Sequence, residues 1–245
     1  MRINYKEPYW IKFTWDMDTH HENQYVTEYN KIENEVFEDF LHKKNWIISV
    51  NFKITKEYKT DNICMIFGKP GKNMGLSYNK ESGILAFEFW TGTGENDEFH
   101  FAPFNYLTRL DVENGVTISI VREKNKFYLY KNFECVNVYQ FKHNLINDYK
   151  VMGLFVGCSS PTVDTVEHRY HGEMDINYMS FLENTSDIEI AKELYTTPTD
   201  VVLNKPYYKD ILFLYDFQTV NNLGIVYDES PYNNFMEKVP MEFIS

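Results

Sequence analysis

The segment Glu173-Met-Asp175-Ile-Asn177 sets three polar side chains two residues apart. In an extended strand, residues i, i+2 and i+4 share a face. Glu173, Asp175 and Asn177 would then stand together, with Met174, Ile176 and Tyr178 turned to a core. Two carboxylates and an amide in a row can exchange hydrogen bonds with sugar hydroxyls. A second segment, Gly83-Ile-Leu-Ala-Phe-Glu88-Phe-Trp90, divides the same way. Leu85, Phe87 and Phe89 fall on one face; Ile84, Ala86, Glu88 and Trp90 fall on the other. An indole beside a carboxylate suits a pyranose, whose apolar C–H face stacks on the ring while its hydroxyls donate to the acid. His168-Arg-Tyr170-His171 directly precedes the first segment, as a polar and aromatic loop of the kind that reads ligands at a rim. The candidate ligand set is therefore Glu88, Trp90, Tyr170, His171, Glu173, Asp175 and Asn177, with Trp90 and Tyr170 as stacking groups.

Metal and nucleophile chemistry are less well served. Asp16-x-Asp18 precedes His20-His21-Glu22, and Asp-x-Asp with nearby His could hold a metal. Adjacent histidines point to opposite strand faces, however, and a solvated loop is the better reading. Calcium takes about six to eight oxygens. Asp16, Asp18, Asp216 and Asp228 are candidates, but no compact calcium motif joins them. There is no Gly-x-Ser-x-Gly elbow, P-loop, dinucleotide fingerprint or Cys–His nucleophile pattern, so no catalytic residue is assigned.

The composition limits the classes further. The 245 residues carry 24 Lys+Arg against 36 Asp+Glu, a formal charge of -12, which repels phosphate backbones and argues against a nucleic-acid partner. Aromatics at 17% exclude a disordered chain. No apolar run approaches the roughly 20 residues that span a bilayer. The opening Met-Arg-Ile-Asn-Tyr-Lys-Glu lacks an apolar signal core. Three cysteines, Cys64, Cys135 and Cys158, are an odd number without paired spacing. Both features fit synthesis in a reducing cytoplasm, with incorporation into a larger particle as an option.

Most of the chain reads as strands. Stretches 46–54, 83–90, 115–121, 126–130 and 150–157 are rich in Ile, Val, Phe and Tyr, and Gly, Asn and Pro clusters punctuate them. Ser186-Asp-Ile-Glu189 reads as a capping box opening a short helix to Tyr195, with Ser186 as N-cap. The acidic stretch 30–42 is a second helical candidate. An echo recurs at an offset of 200: Ile11-Lys-Phe13-Thr-Trp15-Asp16 matches Ile211-Leu-Phe213-Leu-Tyr215-Asp216. Both ends of the chain thus carry the same kind of opening strand.

Four stretches carry a family likeness. Gly115-Val-Thr-Ile-Ser-Ile-Val121 with Lys126-Phe-Tyr-Leu-Tyr-Lys-Asn-Phe133 looks like a "V-x-V" strand turning into "x-L-Y-V-N-G". Tyr149-Lys-Val-Met-Gly-Leu-Phe-Val-Gly157 is similar to "L-x-I-G". Gly172-Glu-Met-Asp-Ile-Asn-Tyr-Met-Ser-Phe181 is like a closing "G-x-I-D-x-V-x-I-Y" strand, and 186–195 is like the short helix that follows it. Over about 37–195 the chain resembles the laminin-G-like, concanavalin A-like lectin/glucanase jelly rolls. Leu214-Tyr-Asp216-Phe217 and Tyr227-Asp-Glu-Ser-Pro-Tyr-Asn-Asn234 resemble that family's opening, displaced to the C-terminus.

The resemblance implies an all-β fold, a two-sheet antiparallel jelly-roll sandwich with one short helix near 187–195. It implies a domain over 1–206, with 207–245 as an additional strand packed on it or exchanged with a neighbour. Many members of the family bind carbohydrate on a concave face or rim, and many hold Ca²⁺. A related glucanase motif, Glu-x-Asp-x-(x)-Glu, is matched only at Glu173 and Asp175; Asn177 or Tyr178 stands where its second Glu would be. Neither is a carboxylic acid, so the expectation is a non-catalytic carbohydrate-binding module for recognition or adhesion. The alternative is a structural component of a virion, tail or capsid decoration, working through protein contacts and homo-oligomerising by strand addition. A glycoside hydrolase ranks behind both and would need Glu88 near Glu173.

Overall fold

The computed structural model describes residues 11–14, 30–32, 43–57, 63–68, 74–79, 81–92, 96–146, 154–156, 172–216, 226–232 and 235–238. Those residues form a two-sheet antiparallel β-sandwich. In chain order the strands are β1 (Ile11–Thr14), β2 (Asn30–Ile32), β3 (Asn45–Glu57), β4 (Ile63–Gly68), β5 (Met74–Asn79), β6 (Ile84–Thr91), β7 (Glu98–Pro103), β8 (Val116–Glu123), β9 (Lys126–Lys131), β10 (Glu134–Gln140), β11 (Leu154–Val156), β12 (Gly172–Glu183), β13 (Ile211–Asp216), β14 (Val226–Tyr227) and β15 (Phe235–Lys238). The first sheet runs β1-β12-β3-β8-β9-β10, with β13 also on β12. The second runs β14-β15-β2-β11-β4-β5-β6-β7.

The strands form where β-branched and aromatic residues alternate, because such side chains pack well on a pleated, half-buried surface. Trp46, Ile48, Val50 and Phe52 of β3 point inward, as do Ile118 and Ile120 of β8 and Leu85, Phe87 and Phe89 of β6. Phe127 of β9 bridges the sheets, with ring centroids 4.9 Å from Phe87 and 4.7 Å from Phe89, both edge-on. A second apolar cluster, with Ile47, Val121, Tyr178, Leu182 and Leu214, lies on the first sheet's other face under Ala191 and Leu194.

Those two residues belong to α2 (Ile188–Thr196), the helix expected from the sequence. Its N-cap is Asp187, not Ser186: the Asp187 side chain accepts the backbone N–H of Glu189 at 3.1 Å. Asp and Ser are comparable caps, so residue type alone does not choose between them. Another helix, α1 (Arg109–Asn114), was not foreseen. It opens on a capping box of Thr108 and Asp111, in which Thr108 N–H donates to Asp111 Oδ2 at 2.7 Å. The helical expectation for 30–42 is corrected at its start, since Asn30–Ile32 pairs as a strand with β11 and β15. The rest of that stretch lies outside the described residues.

The echo between the chain ends has a structural counterpart. β3 lines one flank of β12 throughout. On the other flank β1 pairs over Ile11↔Ile176 to Thr14↔Glu173, and β13 over Ile211↔Leu182 to Asp216↔Tyr178. The two similar segments therefore lie end to end along one strand. The register shifts between Ile176 and Tyr178, which makes Asn177 a bulge residue. A bulge reverses which face each following side chain takes. Tyr178 thereby leaves the main core, where the sequence placed it, and Met179 enters.

Candidate ligand-binding face

The turn before β6 fixes where its alternation starts. Gly83 sits at φ 69, in the left-handed region that glycine adopts without cost, and its N–H donates to Asn79 O at 2.8 Å. Ser82 N–H donates to Asn79 Oδ1 at 2.9 Å. From there Leu85, Phe87 and Phe89 turn into the core, so Glu88 and Trp90 must face outward. Phe89 is held firmly, stacking on His100 with centroids 4.8 Å apart. His100 in turn lies 2.6 Å from Thr91 Oγ1 and 3.1 Å from Tyr139 OH, which ties β7 to β6 and to β10 of the other sheet.

The register sets the neighbours of Glu88 and Trp90. Glu88 pairs with Phe101 and Trp90 with Phe99. On the other side Glu88 pairs with Gly75 and Ala86 with Ser77. Ser77 Oγ donates to Glu88 Oε1, which orients the carboxylate. A Cβ on Gly75 would meet the Met65 methyl, so glycine there lets Met65 cross beside the acid. Beyond the end of β5, Ile146 N–H donates to Trp90 O at 3.0 Å and continues the sheet next to the indole.

Exposure rises across this face. Met65 and Ser77 are buried, Glu88 and Trp90 are half-buried, and Phe101 and Phe99 stand 43% and 47% exposed. The Trp90 and Phe99 rings lie 5.3 Å apart and are tilted by 55°. The result is a shelf with an angled pair of rings at one end and a carboxylate beside a third ring. Two large aromatics, Phe99 and Phe101, are thus left nearly half in water on one sheet face. Phe99 and Phe101 were not singled out from the sequence. Their spacing of two was visible, but it reads equally as a core face until His100 and Ala102 are seen to be the buried residues.

The other candidates are placed elsewhere. Glu173, Asp175 and Asn177 lie on β12, in the opposite sheet, so the structure does not bring them to Glu88 and Trp90. Asp175 pairs with Lys53 and Glu173 with Lys56 of β3. Asn177 is buried, at 5% exposure. Tyr170, His171, Asp16 and Asp18 lie outside the described residues. Asp216 ends β13. Asp228 is buried, and its carboxylate accepts Leu214 N–H at 2.8 Å, Ser230 N–H at 2.9 Å and Ser230 Oγ–H at 2.6 Å. Among the described residues no group of three or more His, Cys, Asp or Glu could hold a metal. No helix among them is long and apolar enough to cross a membrane.

No family model matches the chain, and no curated protein matches it. Several solved structures do. A "putative carbohydrate binding protein from Bacteroides ovatus ATCC 8483" aligns with a TM-score of 0.58 at 13% identity, over 87% of this chain and 56% of its own. The present chain thus spans a little over half the length of that protein. The CBM40 of a Ruminococcus gnavus IT-sialidase aligns with a TM-score of 0.47 at 14% identity, over 68% of this chain and 92% of its own. The binding domain of botulinum neurotoxin serotype D/C gives 0.47 at 12%, over 67% and 39%. At these identities the likeness is one of fold alone, a β-sandwich.

Proposed function

We propose that this chain is a non-catalytic carbohydrate-binding module whose ligand seat is the outward face of β6 and β7. One observation carries the reading: Trp90, Phe99 and Phe101 share that face with Glu88, and two of the three rings are more than two-fifths exposed. Rings of this kind cover the apolar faces of a pyranose, and the carboxylate accepts its hydroxyls. The sandwich shared with a protein named for carbohydrate binding is compatible with this.

Hydrolysis is disfavoured by the same geometry. A glycosidase sets two carboxyl groups about 5–9.5 Å apart across the bond it breaks. Glu98 lies toward the opposite side of β7, 3.7 Å from His100 Nε2. That leaves Glu88 as the one carboxylate on the outward face of β4–β7, among the described residues. Glu173 and Asp175 belong to the other sheet, and stacked sheets are about 10 Å apart before side chains are counted.

The test is a glycan array followed by affinity electrophoresis of the hits. Wild type should be retarded by at least one glycan. Trp90→Ala should weaken that interaction about tenfold or more, as loss of a central aromatic anchor does, with the melting transition kept. Glycans held equally well by Trp90→Ala and Phe99→Ala would sink the assignment.

A further inference from the structure

We propose that β7 is a docking edge for a second copy of this chain, joined strand to strand about a two-fold axis at His100. Among the described residues β7 ends its sheet, beside β6. The direction of its outer backbone groups follows from one hydrogen bond. Phe104 N–H donates to Leu85 O at 2.9 Å, one step beyond the pair Ala86↔Pro103. Hydrogen-bonded pairs alternate along an antiparallel ladder. Ala102, His100 and Glu98 therefore bond to β6, and Phe99, Phe101 and Pro103 turn their backbone groups away from it. Pro103 O agrees, accepting Asn137 Nδ2–H from β10 at 2.8 Å. The N–H and C=O of Phe99 and Phe101 have no partner among the described residues.

The edge strand β10 of the other sheet is blunted. Its register shifts between Cys135 and Asn137, and Asn137 Oδ1 takes Val138 N–H at 2.8 Å. Bulges and charges keep an edge from pairing. β7 runs without a register shift, and its Phe-His-Phe-Ala stretch holds no Lys, Arg, Asp or Glu. The edge is also self-complementary. A two-fold at His100 sets Phe99 opposite the partner's Phe101, and Phe101 opposite the partner's Phe99. Every outer N–H and C=O of these residues then finds a mate. Sliding by two residues one way sets Pro103, which has no N–H, opposite Phe99. Sliding the other way sets Asp97 opposite Phe101 and brings the two Glu98 residues together. In the chosen register those acids stand about 13 Å apart along the joint, beyond the roughly 8–10 Å reach of a surface charge in salt. Opposed residues share a face, so the rings meet as cross-strand aromatic pairs on the outward face. The seats of the two copies become continuous there.

The experiment is sedimentation velocity of the full chain, without sugar, at about 1–100 μM, the weak end of what interfaces reach. The mass should double across that range. Phe101→Pro should stay monomeric and keep its melting transition, because proline is tolerated on an edge whose N–H faces water. Phe99→Lys with Phe101→Lys sets like charges opposite each other and should also stay monomeric. Phe99→Lys with Phe101→Glu sets each lysine opposite a glutamate and should dimerise about tenfold more tightly than the two-lysine variant. If Phe101→Pro does not fold, the two-lysine variant decides. A wild-type chain that is monomeric throughout overturns the proposal, as does a dimer that survives these edge substitutions. Equal masses for the two double variants would overturn the register. No glycan enters this measurement, so its failure leaves the ligand seat to be judged by the glycan array alone.

Discussion

The carboxylate of Asp228 accepts the backbone N–H of Leu214 at 2.8 Å, from 14 residues further along the chain. The same carboxylate takes Ser230 N–H and Oγ–H, and Ser230 Oγ reaches Leu212 O at 3.2 Å. One buried side chain thus clamps the loop after β13 onto β13. The Asp-x-Ser motif that looked like part of a displaced opening serves here as a backbone staple. Asp228→Ala would leave buried donors without an acceptor, at about 1–3 kcal/mol for each group stranded. A loss of about 2–4 kcal/mol is expected in urea unfolding of this variant. A change under about 0.5 kcal/mol would show that the clamp is dispensable.

Deleting 207–245 should abolish cooperative folding. That segment includes Ile211, Leu212, Phe213, Leu214 and Tyr215, all at 2% exposure or less. At about 1.5–3 kcal/mol for each buried apolar side chain, their sum rivals the roughly 5–15 kcal/mol that hold a domain together. A truncated chain that still melts sharply, with near-native circular dichroism, would mean the tail is an accessory.

Acid should weaken the α1 region. Burial alone raises the Asp111 carboxyl, but hydrogen bonds from Lys131 and from the side chain and backbone of Thr108 outweigh it and leave the group below its ordinary range. A carboxyl depressed in the folded state adds stability that is present above its unfolded pKa and fades as pH falls through the folded value. Lys131 Nζ is 2.8 Å from Asp111 Oδ2, a partly exposed pair worth roughly 0.2–1 kcal/mol. Asp111→Asn should be less stable than wild type by about that much at neutral pH, and the gap should close below about pH 4. A gap independent of pH would refute the assignment.

Alkali should unfold the sandwich through buried phenols. Burial, then Asp228, pushes Tyr215 well above its ordinary value. Burial, then Glu193, pushes Tyr207 up to about 12. For a group raised in the folded state, stability is complete below the unfolded pKa, here about 10, and drains as pH rises toward the folded value. In a phenolate absorbance titration, part of the 19 tyrosines should ionise only together with the loss of near-ultraviolet circular dichroism. Titration of all of them as one class near 10, with the fold intact, would contradict the burial described.

The sequence by itself determined the class of fold and several of its strands, among them β3, β6, β8, β9 and β12. Alternation is local, so Leu85, Phe87 and Phe89 could be set on one face, and Glu88 and Trp90 on the other, without knowing the partner strands. The helix at Ile188–Thr196 was equally legible, because its periodic Ile190 and Leu194 lie one turn apart, although its N-cap fell on Asp187 and not on Ser186. Which polar groups share a surface was not legible. Glu88 and Glu173 both sit on alternating strands, but only strand order assigns them to different sheets. Period-two spacing also fails at a bulge: Asn177 absorbs an extra residue that the register with β3 requires, and every side chain after it changes face. Whether a face meets water or protein is likewise settled by long-range packing. That is why the exposed pair Phe99 and Phe101 emerged only once His100 was seen stacked on Phe89 in the core.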